Sequence, residues 1–294
     1  MTQTTILTHI LKLHFADWHL ARIKCLSYLM MGLFKVKTVN LTEIATTFPG
    51  RAEIESHYRR LQRFFQQVEF DSPLIAQLVV SFLPDPTYTL ALDRTNWMLG
   101  CFSINFLVLS VVHQGIAFPI FWTFLPKQGN SNTQERIELL NRFIAHFGTI
   151  KIDCLLADRE FIGKEWFRYL KDHHIQFHIR IKRDMNISRT NGTLSLAANF
   201  FRSLPLSTYC TLHGPRLICG HLLWVTGMRL PDRGRPRPAR PWRSPAAPRR
   251  AGPHPGGAGR LTIHPDSRAA PPPRGRPAIV GTEPRDRAVA GRSP

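Results

Sequence analysis

A chain of 294 residues has room for about two domains, each with its own core. Lysine and arginine outnumber the acids by 39 to 20, a formal charge of +19, and this favours a polyanionic partner, nucleic acid ahead of membrane. Cysteines 25, 101, 154, 210 and 219 form no C-x-x-C pair or framework spacing, the N-terminus lacks the order of a signal peptide, and the longest apolar runs, 104–112 and 116–125, are too short to span a bilayer. A disulfide scaffold and a membrane protein are thereby set aside, and a reducing cytoplasm is the expected setting.

The pattern over 4–34 is helical, with Ile6, Ile10, Leu13, Ala21 and Leu29 among its apolar positions. A short helix over 41–47 follows the possible cap Asn40. Phe48, Pro49 and Gly50 then turn the chain, and a longer helix covers 52–67. The outline is helix-turn-helix-like. In the longer helix Arg59, Arg60 and Arg63 lie within about one turn, as a helix that grips DNA requires, although a solvated basic face has the same pattern. Residues 72–86 carry one short apolar helix and the break Pro84-Asp85-Pro86, so the first domain is placed at 1–80.

From Thr87 to Trp97 a period of two predicts a half-buried strand carrying Asp93. Two more strands are expected over 101–112 and 116–125, joined by the turn His113-Gln114-Gly115. A helix follows, with Ser131 and Gln134 as its capping box, apolar positions from Ile137 to Phe147, and Gly148 as its C-terminal cap. Residues 151–158 form a fourth strand that again ends on a carboxylate, Asp158, and Leu92 and Leu156 are expected to be buried beside the two acids. A lone aspartate after an apolar strand is often a turn former or a cap. Two at strand ends point to one metal-binding site.

A helix over 163–173 and a strand over 177–182 come next, leading to the basic cluster Arg180, Lys182 and Arg183. That cluster suits either DNA contact or a charged guard on a sheet edge. Residues 216–230 alternate well enough for one or two strands. Cys210, His213, Cys219 and His221 are all zinc-competent, but C-x2-H-x5-C-x-H is not a usual spacing, and His173, His174 and His178 read as surface or helix-end residues. From Pro231 the composition shifts. Pro, Arg, Ala and Gly supply 47 of 64 residues, with 14 Arg and no Lys against 4 acids, so +9 of the +19 remains in the first 230. All four residues use G- and C-rich codons, which reads as DNA translated out of frame. A genuine basic, proline-rich disordered linker is the other reading, and neither buries a core.

Three antiparallel strands, then alternating helix and strand, with acids ending the first and fourth strands, is the arrangement of ribonuclease H-like nucleotidyl transferases. DRTNW at 93–97 and ADREF at 157–161 resemble the first two signature blocks of DDE transposases of bacterial insertion sequences, in the insertion-sequence-four branch. The resemblance covers roughly residues 1–230. It implies an α/β fold, a ribonuclease H-like mixed sheet with flanking helices over 81–230, preceded by an all-α DNA-binding domain. It further implies Asp93 and Asp158 as catalytic ligands of two Mg²⁺ or Mn²⁺ ions, and contacts to double-stranded DNA by Arg59, Arg60, Arg63, Arg180, Lys182 and Arg183. The expected partners are the terminal repeats of a transposon, with a homodimer on DNA, in a nucleoid-associated setting. A third acid, in a block Tyr-x2-Arg-x3-Glu-x6-Lys, has no counterpart here. The only glutamate after Glu165 is Glu283, without the Tyr or Arg at the proper distance. The resemblance therefore implies a transposase cut short at its reading frame and catalytically defective. A DNA-binding remnant that inhibits intact transposase and a two-carboxylate nuclease are the alternatives.

Overall fold

The structure is a computed structural model that describes residues 2–84, 86–99, 101–230 and 259–264, with Leu99 and 259–264 described by backbone alone. It begins with five helices: α1 (Gln3–His14), α2 (Leu20–Val36), α3 (Leu41–Ala45), α4 (Ile54–Gln67) and α5 (Ser72–Ser81). The helix expected over 4–34 is two helices. Phe15 and Trp18 close the first in a tight turn, rings 4.7 Å apart, which lets α1 fold back on α2. Leu11, Phe15, Ile23, Leu26, Leu29, Ile44, Phe48, Leu61 and Phe64 form a core belonging to these helices. Gly32 sets how closely α2 approaches α3: a Cβ there would stand 2.7 Å from Thr47 Oγ1 and 2.9 Å from Ile44 Cγ2.

The rest is mixed α/β. Strands β1 (Tyr88–Leu99), β2 (Phe102–His113) and β3 (Ile116–Phe124) form an antiparallel meander. Helix α6 (Thr133–Phe147) leads to β4 (Ile152–Ala157), and α7 (Lys164–Asp172) leads to β5 (Phe177–Arg180). β4 lies parallel to β1, and β5 lies parallel to β4, giving the order 3-2-1-4-5. This is the mixed sheet with flanking helices that the signature blocks imply. Alternate residues Leu90 and Leu92, Leu107 and Leu109, Leu155 and Ala157, Phe177 and Ile179 point to one face. There they meet Leu139, Leu140 and Phe143 of α6 and Trp166, Phe167 and Leu170 of α7, and α5 joins this core through Ala76 and Val80.

α6 is capped one residue later than expected. The Asn132 side chain accepts from Glu135 N at 2.9 Å and Asn132 N donates to Glu135 Oε2 at 2.7 Å, while Ser131 is held by Arg136 instead. Gly148, at φ 80°, ends the helix as the sequence predicts. Beyond β5 come the short strands β6 (Asn186–Ser188), β7 (Leu194–Leu196), β8 (Tyr209–Thr211), β9 (Arg216–Ile218) and β10 (His221–Arg229), so 216–230 holds two strands. β11 (Gly259–His264) enters the sheet between β5 and β10, antiparallel to both. The reading of 231–294 as a disordered, out-of-frame or linker tail thus does not hold for these six residues, whose RLTIH alternation suits a strand; the remainder of 231–294 lies outside the described residues, Glu283 included. No helix among the described residues is long and apolar enough to cross a membrane.

Candidate active site

The register brings the two aspartates together. Leu92 of β1 pairs with Ala157 of β4, the last such pair, so Asp93, inside β1 rather than at its end as expected, and Asp158, just past β4, come next on chains whose paired strands are spaced about 5 Å apart. Alternation places both on the face opposite the α6–α7 core. Asp93 is exposed and Asp158 half-buried. β1 continues to Leu99 paired with β2, whereas β4 stops at Ala157, so the carboxylates stand at the step where β1 loses its parallel neighbour. Such a crevice beyond the carboxyl ends of parallel strands is where open α/β sheets take ligands. Leu92 is buried as expected, but Leu156 is only half-buried, because it shares the Asp158 face while Leu155 and Ala157 take the core side.

Each carboxylate is aimed by the backbone that follows it. Arg94 N donates to Asp93 Oδ1 at 2.8 Å and Arg159 N donates to Asp158 Oδ1 at 2.7 Å. The neighbouring strand supplies a cation: Ile179 of β5 pairs with Ala157, and Arg180, one residue on, meets Asp158 Oδ1 at 3.2 Å. Arg180, read from the sequence as a DNA contact, thus belongs to the acid site itself. Lys182 and Arg183 lie just beyond it, both exposed.

Beneath the carboxylates lies a polar framework that sequence reasoning did not identify. Arg94, on the Leu92 side of β1, grips Glu160 with two nitrogens: Nε lies 3.0 Å from Oε1 and Nη2 lies 3.1 Å from Oε2. Arg94 Nη1 also donates to Asn105 Oδ1 at 3.2 Å. Asn105 is buried, and its Nδ2 donates to the carbonyls of Lys127 and Gly129. From the other side, Arg136 donates to Ser131 Oγ at 2.9 Å and to the Glu160 carbonyl at 3.2 Å, with its guanidinium over the Phe161 ring. Burial pushes the Arg136 guanidinium below its usual range, against the opposing pull of Glu160 and Glu135. The signal in the sequence was a charged residue close after each aspartate, Arg94 directly following Asp93 in DRTNW and Glu160 two residues after Asp158 in ADREF.

The donor set suits a hard divalent cation, since both aspartates offer carboxylate oxygen. Among the described residues no group of three His, Cys, Asp or Glu gathers for a metal, so Cys210, His213, Cys219 and His221 do not converge. His221 Nε2 instead lies 2.9 Å from the Lys164 carbonyl. His173 and His174 are at the exposed end of α7, while His178 is buried in β5, contrary to the surface expectation. In α4, Arg59 is exposed beside Glu55 at 3.1 Å and Arg63 is exposed. Arg60 turns inward, donating to the Ala21 carbonyl at 3.2 Å and lying over the Tyr28 ring.

No curated protein matches the chain. Among solved structures, similarity extends to the piggyBac transposase synaptic complex with hairpin DNA, at 9% identity and a TM-score of 0.43, over 86% of this chain and 53% of that one. It extends also to the intasome of simian T-cell lymphotropic virus in complex with PP2A regulatory subunit B56 gamma, at 14% identity and a TM-score of 0.27, over 48% of this chain and 47% of that one. The chain thus spans about half the length of each. Residues 118–233, which include Asp158 but not Asp93, match the family model of the transposase DDE domain.

Proposed function

We propose that this chain is a transposase of the insertion-sequence-four type, built for metal-dependent cleavage and joining of DNA strands in cut-and-paste transposition. The observation that carries the reading is the placement of Asp93 and Asp158 on one face of adjacent parallel strands, at the step where β4 ends beside β1. In this chemistry water, then a DNA 3′-hydroxyl, attacks phosphorus in line as the bond to the leaving oxygen breaks. Two Mg²⁺ or Mn²⁺ ions supply activation of the nucleophile and neutralisation of the leaving oxygen. The protein's part is to present Asp93 and Asp158 as their oxygen ligands and to set Arg180 where it faces a phosphate. Lys182 and Arg183 extend that positive edge, and Arg59 and Arg63 on α4 provide a second DNA contact for the terminal repeats.

The absence from the sequence of a Tyr-x2-Arg-x3-Glu-x6-Lys block underlies a second part of the proposal: the chain binds DNA, as a homodimer in the nucleoid, without cutting it, because its reading frame departs from the family near codon 231. A remnant of this kind occupies transposon ends and inhibits intact transposase, a role favoured by the +9 charge of the first 230 residues. The test is incubation of the full chain with plasmid carrying element ends in Mg²⁺ or Mn²⁺, beside a version with the frame moved by one base near codon 231. Binding by both and nicking only by the reframed protein supports the proposal. Nicking by the 294-residue chain, without preference for ends, favours a two-carboxylate nuclease. Stop codons closing the other frames overturn the truncation.

A further inference from the structure

Glu160 stands two residues after Asp158 and is the nearest further carboxylate in sequence to the site, yet it is committed elsewhere. Both its oxygens face Arg94, at 3.0 and 3.1 Å, and its carbonyl accepts from Arg136. Arg94 and Glu160 are only 17% and 21% exposed, 66 residues apart in sequence, and each adjoins the segment bearing one aspartate. Ala157 is the last residue of β4 that pairs with β1, so beyond it side chains carry the cross-strand contact. The fork between Arg94 and Glu160 supplies it there. Asn105 fixes the far side of the Arg94 guanidinium, and through the Lys127 and Gly129 carbonyls fixes the turn before α6 from which Arg136 reaches back. A planar guanidinium holding two carboxylate oxygens constrains orientation as well as distance, which a lysine ammonium does not.

We infer that Arg94 and Glu160 are positioning residues, a cross-strand clamp that fixes the spacing of Asp93 and Asp158 before any metal binds. The inference rests on the metal-site reading above. It predicts that loosening the clamp weakens divalent-ion binding without removing a ligand. Mn²⁺ binding to the full 294-residue chain, followed by electron paramagnetic resonance of the free ion, is compared in the wild type, Arg94→Lys, Glu160→Gln and Phe143→Leu, with thermal unfolding measured on each. Phe143→Leu is the control, lying in the core of α6 on the opposite face and lowering stability without touching the clamp. The expected result is at least a tenfold loss of Mn²⁺ affinity in Arg94→Lys and Glu160→Gln, with no loss in Phe143→Leu. Should either clamp variant fail to fold, Glu160→Asp, which keeps the charge but shortens the reach, is expected to show the same loss. Wild-type affinity in the clamp variants, or a loss matched by Phe143→Leu, overturns the inference while leaving the metal site standing. A wild type that binds no Mn²⁺ overturns the metal-site reading and the clamp with it.

Discussion

Asp158 is shared between two prospective cations. Its ion pair with Arg180 is 44–45% exposed on both sides, so solvent screens it and it contributes no more than about 1 kcal/mol. A divalent ion displaces such a partner at little cost. Arg180→Ala should therefore leave the melting temperature nearly unchanged and tighten Mn²⁺ binding by roughly two- to tenfold, the equivalent of about 1 kcal/mol, in a titration of the full chain. The same variant should bind duplex DNA more weakly. Cys154, behind the acids on β4, behaves differently. Burial, with a smaller contribution from Asp153, pushes its thiol up to about 12. A thiol with a raised pKa stays protonated through the neutral range and becomes reactive only as pH rises towards that value. At pH 8, iodoacetamide read by mass spectrometry should label exposed Cys101 and spare Cys154; equal labelling would mean that β4 is not seated in the sheet. The two aspartates were legible because each closes an apolar strand-like stretch, although β1 runs on past Asp93 to Leu99. The clamp was not, because Coulomb partners 66 residues apart meet only once β1 and β4 pair.

Among the elements, α4 divides its arginines between two tasks. Arg59 and Arg63 face solvent, whereas Arg60 binds the Ala21 carbonyl and covers Tyr28, tying α4 to α2. Reversing the charge of Arg59 and Arg63 together should weaken DNA binding and flatten its salt dependence more than reversing Lys35 and Lys37. Arg60→Ala should act mainly on thermal stability. Equal effects of all these changes on binding would reduce α4 to a generic basic surface. Gly32→Ala tests the α2–α3 approach: the added methyl meets Thr47 and Ile44 inside contact distance, so calorimetry should show a loss of about 1–3 kcal/mol. Most elements were legible from periodicity, yet their ends were not. The break in 4–34 comes from Phe15 and Trp18 packing on one another, and the cap of α6 moved to Asn132 because Arg136 holds Ser131. Both are tertiary contacts, invisible to a local pattern.

At the scale of the whole molecule, composition and structure part at 259–264. A segment rich in Pro, Arg, Ala and Gly has too little apolar surface to form a core, yet strand pairing is made by the main chain, which needs no particular side chains. β11 so links β5 to β10, and the acids' sheet to the later strands. Removing 231–294 should lower the melting temperature by several degrees, since β5 and β10 lose the strand between them. An unchanged melting temperature would show that β11 adds nothing to the sheet.

The account stands on Asp93 and Asp158 forming one divalent-ion site. Its most direct test is a Mn²⁺ titration of the full chain beside Asp93→Ala and Asp158→Ala, each shown to be folded by circular dichroism. Binding by the wild type and its loss in both variants is the predicted result. A wild type that binds no Mn²⁺, or a variant lacking either aspartate that binds as tightly as the wild type, would contradict the account.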